Sequence, residues 1–266
     1  MSRTGLVLLG LACLVGCQST PKTPDEAVRV ANQDDTEQVH TELVRQMIAQ
    51  RKYFAARAHV DALALEHGET PEIRLLRADC MRHLGEFEAA QAGYQSLLNG
   101  PYAAEAAHGM GLLLANRHLT AAISYLQRAV FLRPTHAAAR NDLGYAMMLM
   151  GQYDKALREL STALELAPGD DRPLRNLVLL HHLRGDHARA ATLGHNGGLS
   201  DTSLAQLRRQ AEELALDQAH DANGQWAGGQ HEHCSRFLDG DVAHGSDERL
   251  CTAPGAGVGR GHPRLA

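Results

Sequence analysis

The chain has 266 residues, of which 44% are hydrophobic and only 4% aromatic, and its formal net charge is −5. That is apolar material enough for one large or two small domains, and an excess of Ala and Leu over aromatics favours packed helices over sheets. No basic stripe accompanies the acidic balance, so no nucleic-acid partner is expected. Five cysteines (Cys13, Cys17, Cys80, Cys234 and Cys251) contain no CxxC pair and make no disulfide framework.

Residues 1–16 have the layout of a secretory leader. Arg3 supplies a positive start, and the apolar run from Leu6 to Val15 is too short to cross a bilayer, which takes about 20 residues. The run ends in Leu14-Val15-Gly16-Cys17, which resembles the bacterial lipobox. The resemblance implies that Cys17 becomes the first mature residue and carries acyl chains through its sulfur and its new amine. Cys13 fits less well, because Gly10 stands at the apolar −3 position. Gln18 after the cysteine, rather than Asp, implies the outer membrane, with the protein facing the periplasm. Residues 17–36 then comprise the acylated cysteine and a polar tether containing Pro21 and Pro24.

The middle of the chain is organised by a repeat of 34 residues. From Ala137 to Asp170 it reads Leu143-Gly144, Gly151, Tyr153, Ala156, Leu160, Ala163 and Pro168, which resembles the tetratricopeptide pattern at each of those positions. One step back lie Leu119, Ala122, Leu126, Ala129 and Pro134, although Gly109-Met110 stands where Leu-Gly is expected. Further back are Gly85, Phe87, Ala90 and Tyr94, and then Tyr53, Ala56, Val60 and Leu63. Repeats therefore begin near Glu37, Pro71, Ala103 and Ala137. A fifth begins near Asp171, its second helix expected to break at Gly194, Gly197 and Gly198. The small residues let paired helices approach closely, and the prolines stop one repeat before the next. Ser200-Asp201 followed by Leu204, Leu207, Ala211 and Leu214 reads as an N-cap and an apolar stripe, hence a capping helix. The expected fold is all-α: over residues 37–216, a right-handed α-solenoid of four to five tetratricopeptide repeats closed by a C-terminal capping helix.

Carrying the family's groove positions over residue by residue gives Leu114 from the third repeat and Asn141, Tyr145 and Met148 from the fourth. The fifth supplies Arg172, Arg175, Leu179 and His182. Such a face suits an amphipathic helix or an extended tail; equally, Tyr145 and Met148 can pack against the chain's own terminal helix. Position 9 reads Arg45, Asp79, Gly111, Tyr145 and Leu179, without the Asn of chaperone-tail receptors.

No catalytic residue, cofactor, metal site or small-molecule substrate is expected. The chain has no HExxH, GxSxG or glycine-rich phosphate loop, and Asp170-Asp171 reads as a repeat boundary and N-cap. Residues 217–266 are rich in Gly and His and lack helical periodicity, so they are expected to be disordered or to come from a shifted reading frame. His231, His233, His244, Cys234 and Cys251 in that tail match no structural zinc spacing.

Lipobox, tether, repeats and the run Asn176-Leu-Val-Leu-Leu-His-His-Leu-Arg-Gly-Asp186 together resemble the TadD family, lipoproteins of the tight-adherence (Flp) pilus system. The resemblance covers Met1 to Leu216. It implies a non-enzymatic, lipid-anchored scaffold or pilotin whose partners are a secretin or other pilus-assembly proteins. Pilotins of the PilF kind and scaffolds that recruit peptidoglycan enzymes share both features and stay open as alternatives.

Overall fold

The computed structural model describes residues 38–222, among which there are eleven α-helices and no strand. The leader, Cys17, the tether and the tail beyond Ala222 lie outside the described residues. In chain order the helices are α1 (38–49), α2 (Tyr53–His67), α3 (Pro71–His83), α4 (Phe87–Leu97) and α5 (Ala103–Leu114). Then come α6 (Leu119–Leu132), α7 (Ala137–Leu149), α8 (Tyr153–Leu166), α9 (Asp171–Leu183), α10 (His187–Asn196) and α11 (Asp201–Ala222). Helices α3, α5, α7 and α9 start at the residues where the repeat predicts a new unit.

Local chemistry explains those starts. The Thr70 hydroxyl accepts a bond from the Ile73 amide at 3.3 Å, with Pro71 in the first turn. His136 Nδ1 accepts from the Ala139 amide at 3.1 Å, and the Asp170 carboxylate from the Arg172 amide at 3.0 Å. Each satisfies a backbone donor that the first helical turn leaves free. Between paired helices the chain turns through one left-handed residue: Gly85, Gly151, Gly185 and, in the first repeat, Arg51 at φ 59°. The turns close with an amide reaching back to the helix, Gln152 to the Met147 carbonyl at 2.9 Å and Asp186 to the His181 carbonyl at 2.8 Å.

The chain divides into two compact units, Met1–Gly85 and Glu86–Ala266. In the described part of the first, Val44 of α1, Ala56, Val60 and Leu63 of α2, and Ile73, Leu76 and Cys80 of α3 form one core. Burial pushes the Cys80 thiol up to about 12, so it is an inert core side chain. Tyr53 stacks on His83 with ring centroids 4.2 Å apart.

In the second unit the helix pairs α5/α6, α7/α8 and α9/α10 pack in sequence. The fully buried Ala122, Ala156 and Ala190 recur at the same point of α6, α8 and α10. In the fourth repeat a side chain on Gly144 would lie 2.6 Å from Leu160 Cγ and 3.2 Å from the Ala156 carbonyl, so only Gly permits this crossing. The third repeat does the same with Gly111, which lies 2.6 Å from Leu126 Cγ by the same measure. Helix α5 therefore engages α6 one residue later than the repeat spacing predicts. Met110, at the expected position, is too bulky for the crossing. The turn after α5 closes with no left-handed residue: the His118 amide bonds the Leu114 carbonyl at 2.8 Å.

One expectation needs correction. Gly194 does not break the second helix of the fifth repeat; it sits buried inside α10. A side chain there would collide with Leu204 of α11, so the glycine is a seat for the capping helix. Helix α10 ends at Asn196 with Gly197 as its C-cap, and Gly198, at φ 79°, turns the chain into α11. The Ser200 hydroxyl accepts from the Ser203 amide at 3.2 Å, as its N-cap role requires. Helix α11 runs on to Ala222, so the expected boundary at residue 216 falls inside it. Alanines at 215, 219 and 222 favour that continuation.

Candidate functional site

The first helices of the third, fourth and fifth repeats, α5, α7 and α9, carry the groove positions, and they divide into a polar half and an apolar half. The polar half is a ladder. His108 Nε2 donates to Asp142 Oδ2 at 2.6 Å, Asn141 Nδ2 donates to Asp142 Oδ1 at 3.1 Å, and Asn176 Nδ2 donates to Asn141 Oδ1 at 2.9 Å. His108, Asp142 and Asn176 stand at the same repeat position, so a spacing of 34 residues places them on three successive helices. Asn141, Asp142 and Asn176 are all buried. A buried carboxylate needs such partners, and both Asp142 oxygens have one. Beside the ladder, the His108 and His136 rings meet edge to face with centroids 5.0 Å apart. Burial, then the neighbouring His108 and Arg133, hold His136 below the usual imidazole range.

The apolar half is occupied. Tyr145 and Met148 of α7 and Leu179 of α9 belong to one buried cluster with Leu204, Leu207, Ala211 and Leu214 of α11. Helix α11 lies along α9 and touches α10 much less. Toward its far end Gln218 holds it. Gln218 Nε2 donates to the Met148 and Leu149 carbonyls, both at 3.1 Å, and its Oε1 accepts from the Tyr153 hydroxyl at 2.7 Å. Those carbonyls end α7; the Met148 carbonyl also accepts from the Gly151 amide of the turn at 3.0 Å, and Gln218 adds a cap from another element. Burial raises the Tyr153 hydroxyl above its ordinary range, and the bond to Gln218 draws it partly back.

Of the expected groove residues, Asn141, Tyr145, Met148 and Leu179 are buried, the first in the ladder and the others in the cluster with α11. Leu114 is half-buried at the end of α5 and packs against the same cluster. Arg172 is paired with Asp170 at 2.7 Å. Burial alone would raise the Asp170 carboxyl, but the hydrogen bonds and charge of Arg172 hold it below its ordinary value. The Arg175 side chain is only 11% exposed, with Asp171 at 4.0 Å. His182 Nδ1 lies 3.0 Å from His187 Nδ1 across the α9–α10 turn. Burial, then His187 and Arg208, hold His182 below the usual range. Tyr145, Met148 and Leu179 are almost fully buried, so none of them offers a free surface to a partner in this structure. All three lie in the same buried apolar cluster as the α11 stripe.

Sequence reading missed His108, Asp142, Asn176 and Gln218. The first three carry a signal, polar residues recurring at one repeat position. Gln218 carries none, because it lies where the composition has already changed. Among the described residues no group of three His, Cys, Asp or Glu is placed to hold a metal ion. No described helix is long and apolar enough to cross a membrane.

Comparison with known proteins agrees with this architecture. The tetratricopeptide-repeat family pattern matches residues 113–193. The chain is 37% identical over 193 residues to "TPR repeat-containing protein PA4299" of Pseudomonas aeruginosa, covering 71% of this chain and 76% of that protein. Among solved structures it resembles TTC0263, a thermophilic TPR protein of Thermus thermophilus, at 23% identity and a TM-score of 0.51. That match covers 68% of this chain and 99% of the other. MamA of Desulfovibrio magneticus RS-1 matches at 20% identity and a TM-score of 0.47, covering 66% of this chain and 97% of the other. Tetratricopeptide arrays are scaffolds for protein–protein interaction. With its repeat spacing, its paired helices and the Pseudomonas aeruginosa relative in agreement, the chain belongs to the tetratricopeptide-repeat protein family.

Proposed function

We propose that the chain is an outer-membrane lipoprotein, anchored through acylated Cys17 and facing the periplasm, whose repeats act as a scaffold or pilotin in assembly of a Flp (Tad) pilus apparatus. Its partners on this reading are a secretin or other pilus-assembly proteins, bound without catalysis. The observation that carries the reading is the lipobox Leu14-Val15-Gly16-Cys17 joined by a short polar tether to the repeat domain. The run from Asn176 to Asp186, which forms most of α9 and its turn, supports the narrower assignment by resemblance.

A crosslinked pull-down from membranes tests it, with Cys17→Ser as the control. Recovery of a secretin or pilus components with the native chain, lost or mislocalised with Cys17→Ser, is the expected result. Recovery of peptidoglycan enzymes alone would replace the pilus assignment with a general envelope scaffold. Cys17→Ser remaining in the membrane fraction would remove the lipid anchor.

A further inference from the structure

We propose that α11 is the built-in occupant of a helix-binding groove on α7 and α9, and that the partner taken there is an amphipathic helix repeating the α11 pattern. This inference rests on the scaffold reading above and names the partner's chemistry. The pattern is aliphatic side chains at the spacing of Leu204, Leu207, Ala211 and Leu214, followed by an amide side chain at that of Gln218.

The occupant itself shows what the groove recognises. Four side chains on one stripe of α11 are buried to between 2% and 9% exposure in the cluster of Tyr145, Met148 and Leu179. The site at its end is chemically selective. It offers two carbonyl acceptors, Met148 and Leu149, and one hydroxyl donor, Tyr153. A primary amide matches that set with two N–H donors and one oxygen; a carboxylate or an ammonium group does not.

The way α11 is held makes exchange feasible. The chain enters it through the turn at Gly197 and Gly198, and its main packing is against α9 rather than its chain neighbour α10. Beyond Leu214 the Gln218 bonds are its described attachment to the repeats, and Leu216 between them is 64% exposed. Arg208 and Glu212 pair with each other on the outer side, both 61% exposed. A tethered helix competes at an effective concentration on the order of millimolar, so an incoming helix is held back until the internal one loosens. Partner affinity is then set by the seating of α11 as much as by the groove.

The test titrates a fluorescently labelled peptide with the sequence of residues 201–222 into the full chain and reads anisotropy. Three chains are compared: native, Leu207→Asp, which unseats α11 and leaves every groove residue intact, and Gln218→Ala, which removes only the latch. The expected result is peptide binding at least about tenfold tighter to Leu207→Asp than to the native chain, with Gln218→Ala between them. A peptide carrying the same Leu207→Asp change is expected not to bind. Circular dichroism reports whether Leu207→Asp stays folded; if it does not, Gln218→Ala decides. Equal binding by the folded variants and the native chain overturns the proposal. So does a doubled mass of Leu207→Asp or Gln218→Ala in light scattering, since the occupant would then be a second copy. The peptide assay reads the groove alone, whereas the membrane pull-down reads the native partner, so either reading can fail without the other.

Discussion

Helices α7 and α9 each present two surfaces to the groove, and the two halves solve different problems. Toward the helix starts, Asn141, Asp142 and Asn176 are joined to one another and to His108 by hydrogen bonds whose geometry depends on repeat register. Toward the ends, Tyr145, Met148 and Leu179 are buried in one apolar cluster that also takes in the α11 stripe. Hydrogen bonds are directional and costly to leave unmade, while apolar burial is not directional. The ladder is therefore suited to fixing how successive repeats stack. The apolar half is suited to receiving a helix that can be exchanged for another.

The largest expected effect comes from placing a charge in the apolar half. Met148→Asp buries an unpaired carboxylate at a fully enclosed position and is expected to cost about 4 kcal/mol or more, read as a lost or strongly lowered urea midpoint. A cost below about 1 kcal/mol would mean that α11 leaves this half open to water.

The polar half is broken next. Asp142→Ala leaves His108 and Asn141 without their acceptor and is expected to cost about 3 kcal/mol. Asn176→Ala removes one neutral bond and is expected to cost about 1–2 kcal/mol. Because the two residues share a network through Asn141, the double variant is expected to fall short of the sum by about 1 kcal/mol. Simple additivity in chemical denaturation would dissolve the ladder into independent contacts.

Titration gives a smaller effect spread over both halves. His136, His181 and His182 are each held below the ordinary imidazole value, chiefly by burial. A base depressed in the folded state binds its proton more readily once unfolded. Stability is then fully present above the unfolded value, near about 6.5, and falls as the pH drops below it toward the folded values. The urea midpoint is expected to be lower at about pH 5 than at about pH 7.5, and a midpoint that rises on acidification contradicts this.

The smallest effect is stabilising. Arg51 stands at a left-handed turn position that glycine occupies in the second, fourth and fifth repeats. Arg51→Gly is expected to gain up to about 1 kcal/mol, seen as a modest rise in thermal midpoint.

Much of this fold is legible in the sequence, because each tetratricopeptide signature residue has a local job. Gly144 is where two helices touch, Gly151 is where the chain turns, and Ala156 is what Gly144 faces. The third repeat blurs where that logic becomes ambiguous. Gly109-Met110-Gly111 offers two glycines one step either side of the expected site, and packing against Leu126 selects the later one. The capping stripe of α11 is equally plain, but what it lies on is not. That depends on the direction in which Gly197 and Gly198 send the chain, a tertiary property that no periodicity encodes. Gln218 escapes notice because its role exists only once α11 is seated.

The most direct measurement is amide hydrogen exchange along the full chain, native against Leu207→Asp. If α11 fills the apolar half, the variant exchanges faster both in α11 and in the segments of α7 and α9 around Tyr145, Met148 and Leu179, while the ladder around Asp142 keeps its protection. Faster exchange in α11 alone, with α7 and α9 unchanged, would show that α11 covers nothing and would contradict the account.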